Sequence, residues 1–303
     1  MYLPRSTHAQ YPALWMGTWA LGGMHFGPTN YQESLRVINR AFELGIRYFD
    51  TAHFYAKGQA DRLLRPLCQS HRHDLFISAK GGLNWDNNTV IHDASPQSLR
   101  RALEASLTAM GTDYIDLFSL HHPDPKIQWD TVKSTLVQFQ TEGLIRFWGV
   151  SNMTVDDDVP HQIHFNPIHR DSLPQSSFTV AYSPLEQGLL SLKNYQLGKK
   201  DSRNRNPYFN NAQVQHWLLQ FNHLCNAFNT SPISATLRWI MDQDKINALI
   251  LGPKTVLQLE TLWSGCHQPD VIPNPLWDHL THGISVTNPL EKHTNKSRLD
   301  IKI

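Results

Sequence analysis

Hydrophobic positions along the chain follow two alternating spacings. Short, nearly continuous apolar runs recur, and the segments between several of them carry apolar residues three or four positions apart. The runs predict eight strands, at residues 14–18, 46–50, 75–80, 114–120, 145–150, 162–165, 178–182 and 248–251. Strands that alternate with helices favour a parallel sheet with helices outside it. Because there are eight, and because no GxGxxG follows an early strand, we expect a closed (β/α)8 TIM barrel rather than an open doubly wound sheet.

The spacing of three to four residues predicts the helices. These are expected at residues 31–44, 96–110, 129–142, 212–228 and 232–242, with one more starting at 255. The clearest signal is at 96–110, where Ser95 can cap the helix, Pro96 suits its first position and Gly111 can end it. Residues 191–211 are polar and basic and predict a long loop. We expect a single barrel domain at residues 1–285 and a polar C-terminal tail at 286–303.

The barrel is expected to be thin after its fifth and sixth strands. Only residues 153–161 separate Asn152 from Gln162, whereas a crossover with its helix takes at least about 10–12 residues. The next connection contains two prolines, which limit any helix there. We therefore expect truncated outer helices, with Ile163 and Phe165 covered by irregular loop or by a second copy of the chain. Monomer and homodimer both stay open.

Charge and cysteine content narrow the possible partners. The formal net charge is +1, which provides no field to attract nucleic acid or an anionic membrane surface. No apolar run is long enough to span a bilayer. The three cysteines form no CxxC pair, so a reducing, cytoplasmic location is expected.

Seventeen histidines raise the possibility of a metal site. His161, His164 and His169 lie close in sequence, but His161 and His164 would face opposite sides of a strand. No cysteine or carboxylate lies with them at ligand spacing. We expect no metal and interpret these histidines as surface and loop residues.

Four polar residues lie at or just after strand ends, where barrels of this class carry their active residues. They are Asp50, Tyr55, Lys80 and His121. Reducing a carbonyl requires a hydride on carbon and a proton on oxygen. A tyrosine, with an ordinary pKa of about 10, is a weak donor, so the Lys80 ammonium is expected to lower the pKa of Tyr55. Asp50 would hold the lysine, and His121 would donate a hydrogen bond to the carbonyl oxygen.

Alone, each of these residues would ordinarily be a cap, a packing side chain or a solvated charge. Several longer segments support the combination. They read FDTAHFY at 49–55, ISAKG at 77–81, GTDYIDL at 111–117 with Leu120 and His121 after it, GVSN at 149–152 and YSPL at 182–185. With them the sequence, from about residue 17 to about residue 260, resembles the aldo-keto reductase family. The resemblance implies a barrel, NAD(P)H as cofactor, and Asp50, Tyr55, Lys80 and His121 as a catalytic tetrad. Of the two cofactors, NADPH (NADP⁺) is expected over NADH because of Lys254 and Thr255.

The same resemblance implies a set of cofactor contacts. Near the nicotinamide ring and its carboxamide it places Gly17, Thr18, Trp19, Asp50, Ser151, Asn152, Gln162 and, stacked on the ring, Tyr182. Near the pyrophosphate it places Ser183, Leu185 and Gly188, with Arg203 in a loop that also holds Asp201 and Phe209. Near the adenosine half it places Gly252, Lys254, Thr255 and Gln258, with Lys254 and Thr255 suited to a 2′-phosphate. The sequence departs from the family at Ala56, where glycine is usual, and at Thr261 and Leu262, where adenine contacts are usual.

The substrate and the direction of reaction stay open at this stage. Trp19, Phe54 and Trp85, with Trp129 as a further candidate, would form an aromatic pocket that suits apolar aldehydes and sugar faces alike. The expected partner is a small carbonyl or sugar-like molecule. A sugar or pyridoxal dehydrogenase would use the same residues in reverse. A non-catalytic NADP(H)-binding barrel that regulates a membrane channel is the alternative of a different class.

Overall fold

The computed structural model describes residues 13–24, 26–87, 89–170, 173–176, 178–192, 197, 201–269 and 271–282. The predicted tail at 286–303 lies outside these ranges, so the division into barrel and tail stays a prediction. None of the helices in the described ranges is both long and apolar enough to cross a membrane.

The strands of this part of the chain form a closed barrel and two small additions. They are β1 (Ala13–Gly17), β2 (Tyr48–Asp50), β3 (Phe76–Gly81), β4 (Leu83–Asp86), β5 (Thr89–His92), β6 (Ile115–Leu120), β7 (Ile145–Ser151), β8 (His161–Asn166), β9 (His169–Arg170), β10 (Thr179–Tyr182) and β11 (Ala248–Leu251). Eight of those described pair in parallel in the order β1-β2-β3-β6-β7-β8-β10-β11, and β11 pairs back with β1. The predicted (β/α)8 barrel is confirmed. Strands β4 and β5 form a separate antiparallel hairpin, and β9 pairs antiparallel with β8.

The described part contains eight α-helices, six of which agree with the predicted ones to within about two residues. They are α1 (Tyr31–Glu43), α2 (Gln59–His71), α3 (Pro96–Met110), α4 (Trp129–Thr141), α5 (Ala212–Ala227), α6 (Pro232–Met241), α7 (Val256–His267) and α8 (Asn274–His282). Their caps explain the agreement: Ser95 accepts a hydrogen bond from the backbone of α3, and Gly111, in a left-handed conformation with φ of 67°, ends that helix. Helices α2 and α8 were not predicted. Helix α2 begins after Gly58 with no side-chain cap and contains Pro66, so both of its sequence signals are weak.

Apolar side chains fill the barrel interior beneath Asp50. Trp15 of β1 is 1% exposed and stacks on Tyr48 of β2, with 5.9 Å between ring centroids. Because side chains two positions apart share a strand face, Asp50 lies on the inward face with Tyr48, one layer closer to the carboxyl end. The polar side chains therefore meet above an apolar floor.

The two connections after β7 and β8 contain no outer α-helix in their described residues, as the sequence predicts. Residues 152–160 form no α-helix, and neither do the described residues between β8 and β10. The prediction that irregular loop or a second copy of the chain covers Ile163 and Phe165 was wrong, however. Phe165 is 3% exposed and lies flat against Trp239 of α6, with ring centroids 5.7 Å apart. Ile163 is buried in the same cluster. A helix from further along the chain covers this face, which removes the apolar surface that suggested a dimer.

The histidines are also placed differently from the expectation. His161 is fully buried and shares a hydrogen bond of 2.7 Å with the carbonyl of Val159, and His169 is 6% exposed. The interpretation of these residues as surface and loop histidines was wrong, although His161 and His164 do lie on opposite strand faces. Within the described residues, no group of three or more His, Cys, Asp or Glu side chains is arranged to hold a metal ion.

Candidate active site

The four predicted catalytic residues converge at the carboxyl ends of β2, β3 and β6. Asp50 ends β2, Lys80 lies one residue before the end of β3, and His121 follows β6 directly. Tyr55 lies in a tight turn after β2. All four are nearly buried, with exposures of 4% for Asp50, 9% for Tyr55, 3% for Lys80 and 8% for His121.

The Lys80 ammonium links Asp50 and Tyr55 through hydrogen bonds. Its Nζ donates to Asp50 Oδ1 at 2.6 Å and to Tyr55 Oη at 3.3 Å. It also donates to the backbone carbonyl of Thr51 at 3.1 Å. Three acceptors thus use all three donors of the ammonium. The His121 ring stands edge-on to the Tyr55 ring, with centroids 5.5 Å apart.

Burial dominates the protonation of Tyr55. It raises the pKa of this phenol well above its ordinary value, and the carboxylates of Asp50 and Asp61 raise it further. The net shift is therefore upward, and the lowered pKa expected for Tyr55 is not found, although an adjacent cation such as Lys80 still favours the phenolate once the proton has left. Burial also lowers the pKa of Lys80, which the negative charge of Asp50 partly offsets. Tyr55 is consequently a protonated phenol at neutral pH.

His121 is neutral at neutral pH. Burial lowers its pKa well below the ordinary value, and the charge of Lys80 and the neighbouring His122 and His92 lower it further. Its Nδ1 is buried without a hydrogen-bond partner among the described residues. A neutral imidazole is able to donate one hydrogen bond and accept another.

The second carboxylate oxygen of Asp50 is also fully used. Gln162, predicted from the family resemblance as a carboxamide ligand, donates to Asp50 Oδ2 at 2.8 Å, and the Ser78 hydroxyl donates to the same oxygen at 3.0 Å. Ser78 was not predicted, although it lies two residues before Lys80 and hence on the same strand face. Asp61 of α2 was missed as well. It accepts from the hydroxyl of Thr51 at 2.7 Å and so supports the segment that holds Lys80.

The residues expected around the nicotinamide lie beside the tetrad. Asn152, which has a positive φ of 58°, donates to the carbonyl of His121 at 2.8 Å and accepts from Tyr182 Oη at 2.5 Å. Ser151 accepts from the Asn152 amide at 3.0 Å. Asn152 therefore fixes the Tyr182 ring relative to His121.

Aromatic rings border the other side of the tetrad. Trp19 lies 6.2 Å from the Tyr55 ring between centroids, and Phe54 and Trp85 stack in parallel at 4.7 Å. Phe54 also meets His121 edge-on at 6.0 Å. Trp129 lies elsewhere, against Trp148 on the outer side of the barrel wall, so its place in the aromatic pocket is not supported.

Next to Trp19, Gly17 and Thr18 continue β1. A Cβ on Gly17 would lie 2.7 Å from Ile250, so only glycine fits there without a shift of β11. The Thr18 hydroxyl donates to the carbonyl of Asp50 at 3.1 Å. Both residues thus lie beside the end of β2, at the floor that the resemblance implies.

Ser183, Leu185 and Gly188 follow β10 in a tight turn. Ser183, Glu186, Gln187 and Gly188 of this turn have φ values of 52°, 46°, 56° and 95°. Successive left-handed residues of this kind shape concave backbone surfaces of the type that bind anions. The turn lies directly after Tyr182, where the resemblance places the pyrophosphate.

The residues proposed for the adenosine half lie after β11. Lys254 Nζ donates to the backbone carbonyls of Phe26, Gly27 and Pro28 at 2.6, 3.4 and 3.2 Å. Gln258 accepts from the Lys254 amide at 2.7 Å, and Thr255 caps α7 by accepting from Gln258 at 3.2 Å.

Gly252 and Arg203 border the same region. Gly252 faces open space, since a Cβ there would meet nothing within 4 Å. Arg203 is paired with Asp201 at 2.6 Å, and its guanidinium lies 5.8 Å from the centre of the Phe26 ring. The residue ranges around 26, 203 and 254 therefore meet at one place.

The model of the Aldo/keto reductase family matches residues 13–158 and 177–268. The chain belongs to the aldo/keto reductase family. Two curated relatives illustrate the match. The aldo-keto reductase YhdN of Bacillus subtilis is 29% identical over 82% of both chains. The NADH-specific methylglyoxal reductase of Escherichia coli is 25% identical over 78% of this chain and 84% of the relative. The glycerol dehydrogenase structure from Gluconobacter oxydans shares the fold with a TM-score of 0.79, at 23% identity over 93% of this chain and 99% of that one.

This aldo/keto reductase departs from its family at positions that the structure explains. Leu262, where an adenine contact is usual, is 8% exposed and belongs to the core, and the Thr261 hydroxyl is bonded to Leu257 of its own helix. Ala56, where glycine is usual, has a positive φ of 49°. That conformation is one that glycine adopts without strain.

Proposed function

We propose that this enzyme is an NADPH-dependent carbonyl reductase in which Tyr55 donates the proton. The observation that carries the proposal is the position of the Lys80 ammonium, 3.3 Å from the Tyr55 oxygen and 2.6 Å from Asp50. Bound NADPH supplies the hydride. The chain itself must bind the carbonyl, deliver one proton and stabilise the charge that this transfer leaves behind.

Tyr55 and His121 receive the carbonyl oxygen. The Tyr55 phenol is protonated at rest, and the neutral imidazole of His121 can donate a hydrogen bond to the same oxygen. As negative charge grows on that oxygen, the phenol proton moves to it and leaves a phenolate next to Lys80. Asp50 balances the lysine charge and, with the carbonyl of Thr51, keeps the ammonium aimed at Tyr55.

The neighbouring polar residues suit the nicotinamide carboxamide. Asn152 and Gln162 offer both donors and acceptors, and Ser151 offers a hydroxyl. Tyr182 would stack on the ring. The turn at Ser183, Leu185 and Gly188 would bind the pyrophosphate. These assignments rest on the proximity of the side chains to the tetrad and on the family resemblance.

The cofactor preference depends on Lys254. A 2′-phosphate would compete for an ammonium that now bonds to three neutral carbonyls, and hydrogen bonds to charged partners are the stronger ones. Gly252, Thr255, Gln258 and Arg203 would complete this end of the site. NADH is the alternative, and a relative that is NADH-specific by name keeps it open.

Trp19, Phe54 and Trp85 are the proposed substrate pocket. Their rings suit the apolar face of an aldehyde, a ketone or a sugar, and the reverse reaction would oxidise the corresponding alcohol. Cys68, Cys225 and Cys266 are free and buried, which fits the reducing environment of the cytoplasm, the location that we propose.

Steady-state oxidation of NADPH and NADH with a panel of aldehydes, ketones and aldoses tests the proposal. We expect sustained turnover that depends on the carbonyl substrate. The alternative, a non-catalytic barrel that regulates a channel, predicts cofactor binding with no turnover for any member of the panel. Binding of neither cofactor would contradict both.

A further inference from the structure

Two histidine rings and Tyr182 form a ladder of stacked rings, in which one face of Tyr182, called its back below, is covered. The imidazole of His164 stacks on Tyr182 with centroids 5.3 Å apart and an interplanar angle of 18°. His169 stacks on the other side of His164, at 3.8 Å and 20°. His164 lies on β8 two residues after Gln162, and so it shares the inward strand face with that residue. No step of the proposed reaction uses His164 or His169.

A buried carboxylate holds this ladder. Glu186 is 1% exposed, and its Oε2 lies 2.6 Å from His164 Nε2. The side-chain amide of Asn166 donates to the same oxygen at 2.9 Å, and that of Asn206 donates to Oε1 at 2.7 Å. Burial alone would raise the pKa of Glu186, but the charge of His164 and these hydrogen bonds outweigh it, so the pKa lies below its ordinary value. The carboxylate is therefore ionised and needs its partners.

Glu186 links three segments that surround the expected cofactor. It belongs to the turn after Tyr182, it bonds to β8 through His164 and Asn166, and it bonds through Asn206 to residues 201–211, which we call the strap. Tyr208 of the strap adds a second link, since its hydroxyl lies 2.6 Å from His169 Nδ1. The Glu186 backbone has a φ of 46°, a conformation that costs energy for a non-glycine residue and persists only where the surroundings impose it.

We propose that Glu186 and His164 are positioning residues for cofactor binding: the carboxylate holds the imidazole flat against the back of Tyr182 and fixes the phosphate-binding turn and the strap. This inference rests on the proposed function, because it assumes that Tyr182 stacks on the nicotinamide. It assigns the two residues to the affinity for the dinucleotide and not to the chemical step. The front of the Tyr182 ring and the 183–188 turn are thereby set in place by one buried contact between a carboxylate and an imidazole.

The test compares Glu186→Gln and His164→Phe with a matched control. Glu186→Gln removes the charge but keeps the size, and His164→Phe keeps a ring behind Tyr182 but cannot bond to Glu186. The control is Asp116→Asn. Asp116 is also a buried carboxylate, 1% exposed and 2.8 Å from Arg72, but it lies at the amino end of β6, away from the site. Each variant is titrated with NADPH and NADH by quenching of intrinsic fluorescence, below the unfolding temperature of every variant, and kcat is measured at saturating cofactor.

We expect the dissociation constant of the preferred cofactor to rise about tenfold in both site variants, which corresponds to the loss of one charge-assisted hydrogen bond. We expect kcat at saturation to stay within about twofold of the parent, as for a purely binding effect. Asp116→Asn should lower the unfolding temperature and leave the dissociation constant unchanged. If Glu186→Gln does not fold, His164→Phe carries the same comparison.

Two results would overturn the inference. The first is that the parent binds the cofactor and that Glu186→Gln and His164→Phe bind it with the same dissociation constant. The second is an equal loss of affinity in Asp116→Asn, because that would trace the effect to general destabilisation. A parent that binds neither cofactor is a different outcome, which contradicts the proposed function itself.

Discussion

Lys80 places its ammonium 3.3 Å from the oxygen of Tyr55, inside a site where both side chains are nearly buried. A phenolate formed at Tyr55 would therefore find a cation already in place. Tyr55→Phe should lower turnover by about 10²–10⁴-fold, the usual contribution of a general acid, and should leave cofactor affinity close to that of the parent. Lys80→Met should cause a similar loss. Near-normal carbonyl reduction by Tyr55→Phe in steady-state kinetics would exclude Tyr55 as the donor.

The two directions of reaction should respond differently to pH. Because burial raises the pKa of Tyr55 well above its ordinary value, the phenol stays protonated through the neutral range. Reduction should therefore show no loss of the donor proton between about pH 7 and about pH 9, whereas oxidation of an alcohol should accelerate about tenfold per pH unit because it needs the phenolate. The measurement is kcat against pH in both directions at saturating cofactor. Reduction that falls across this range would show that the pKa of Tyr55 is not raised.

Lys254 should decide the choice between the two cofactors. A charged hydrogen bond to a 2′-phosphate contributes about 1.5–3 kcal/mol, or roughly ten- to a hundredfold in affinity. The parent should therefore bind NADPH more tightly than NADH by that factor, and Lys254→Met should remove the preference while keeping the length of the side chain. Titration of both cofactors into both proteins measures it. Equal dissociation constants of NADPH and NADH for the parent would show that Lys254 only stabilises the loop at 26–28 and does not bind the 2′-phosphate.

Ala56 offers a test of backbone strain next to Tyr55. Its φ of 49° lies in the left-handed region, which costs an L-residue about 1–2 kcal/mol. Ala56→Gly should therefore stabilise the enzyme by about 1 kcal/mol, or raise the unfolding temperature by about 1.5 °C. Ala105→Gly, in the middle of α3, should instead destabilise it by about 0.5–1 kcal/mol. A lower unfolding temperature for Ala56→Gly would mean that the turn is not strained.

Phe165 should behave as a core residue and not as an interface residue. Because it stacks on Trp239 and is 3% exposed, Phe165→Ala should lower the free energy of unfolding by about 3–5 kcal/mol. Leu219→Ala, at a side chain that is 62% exposed, should change it by no more than about 0.5 kcal/mol. Denaturant titration measures both. Light scattering that showed Phe165→Ala splitting an oligomer at unchanged stability would restore the interface.

The barrel and the meeting of Asp50, Tyr55, Lys80 and His121 could be predicted from sequence because their signals are local. Buried parallel strands appear as short apolar runs, and these four polar residues lie at or just after strand ends. The cover of Phe165 could not be predicted, since Trp239 is distant in sequence and nothing local pairs the two. The direction of the Tyr55 pKa shift was also missed, because burial depends on the whole fold whereas the neighbouring lysine is suggested by motif alone. Glu186 was missed because its partners come from two other segments, β8 and the strap, and no local pattern pairs it with either.

The bare side of the barrel has a consequence for the order in which the chain acquires its structure. The outer face of β8 is covered by α6, which is synthesised well after β8 and after the strap. A nascent or truncated chain that ends before residue 232 would hold β8 with Ile163 and Phe165 facing water. Exposed apolar strand surface of this kind promotes aggregation. Helix α6 therefore shields β8 from self-association. Because α6 follows β8 in the chain, this shielding begins only after α6 has been synthesised.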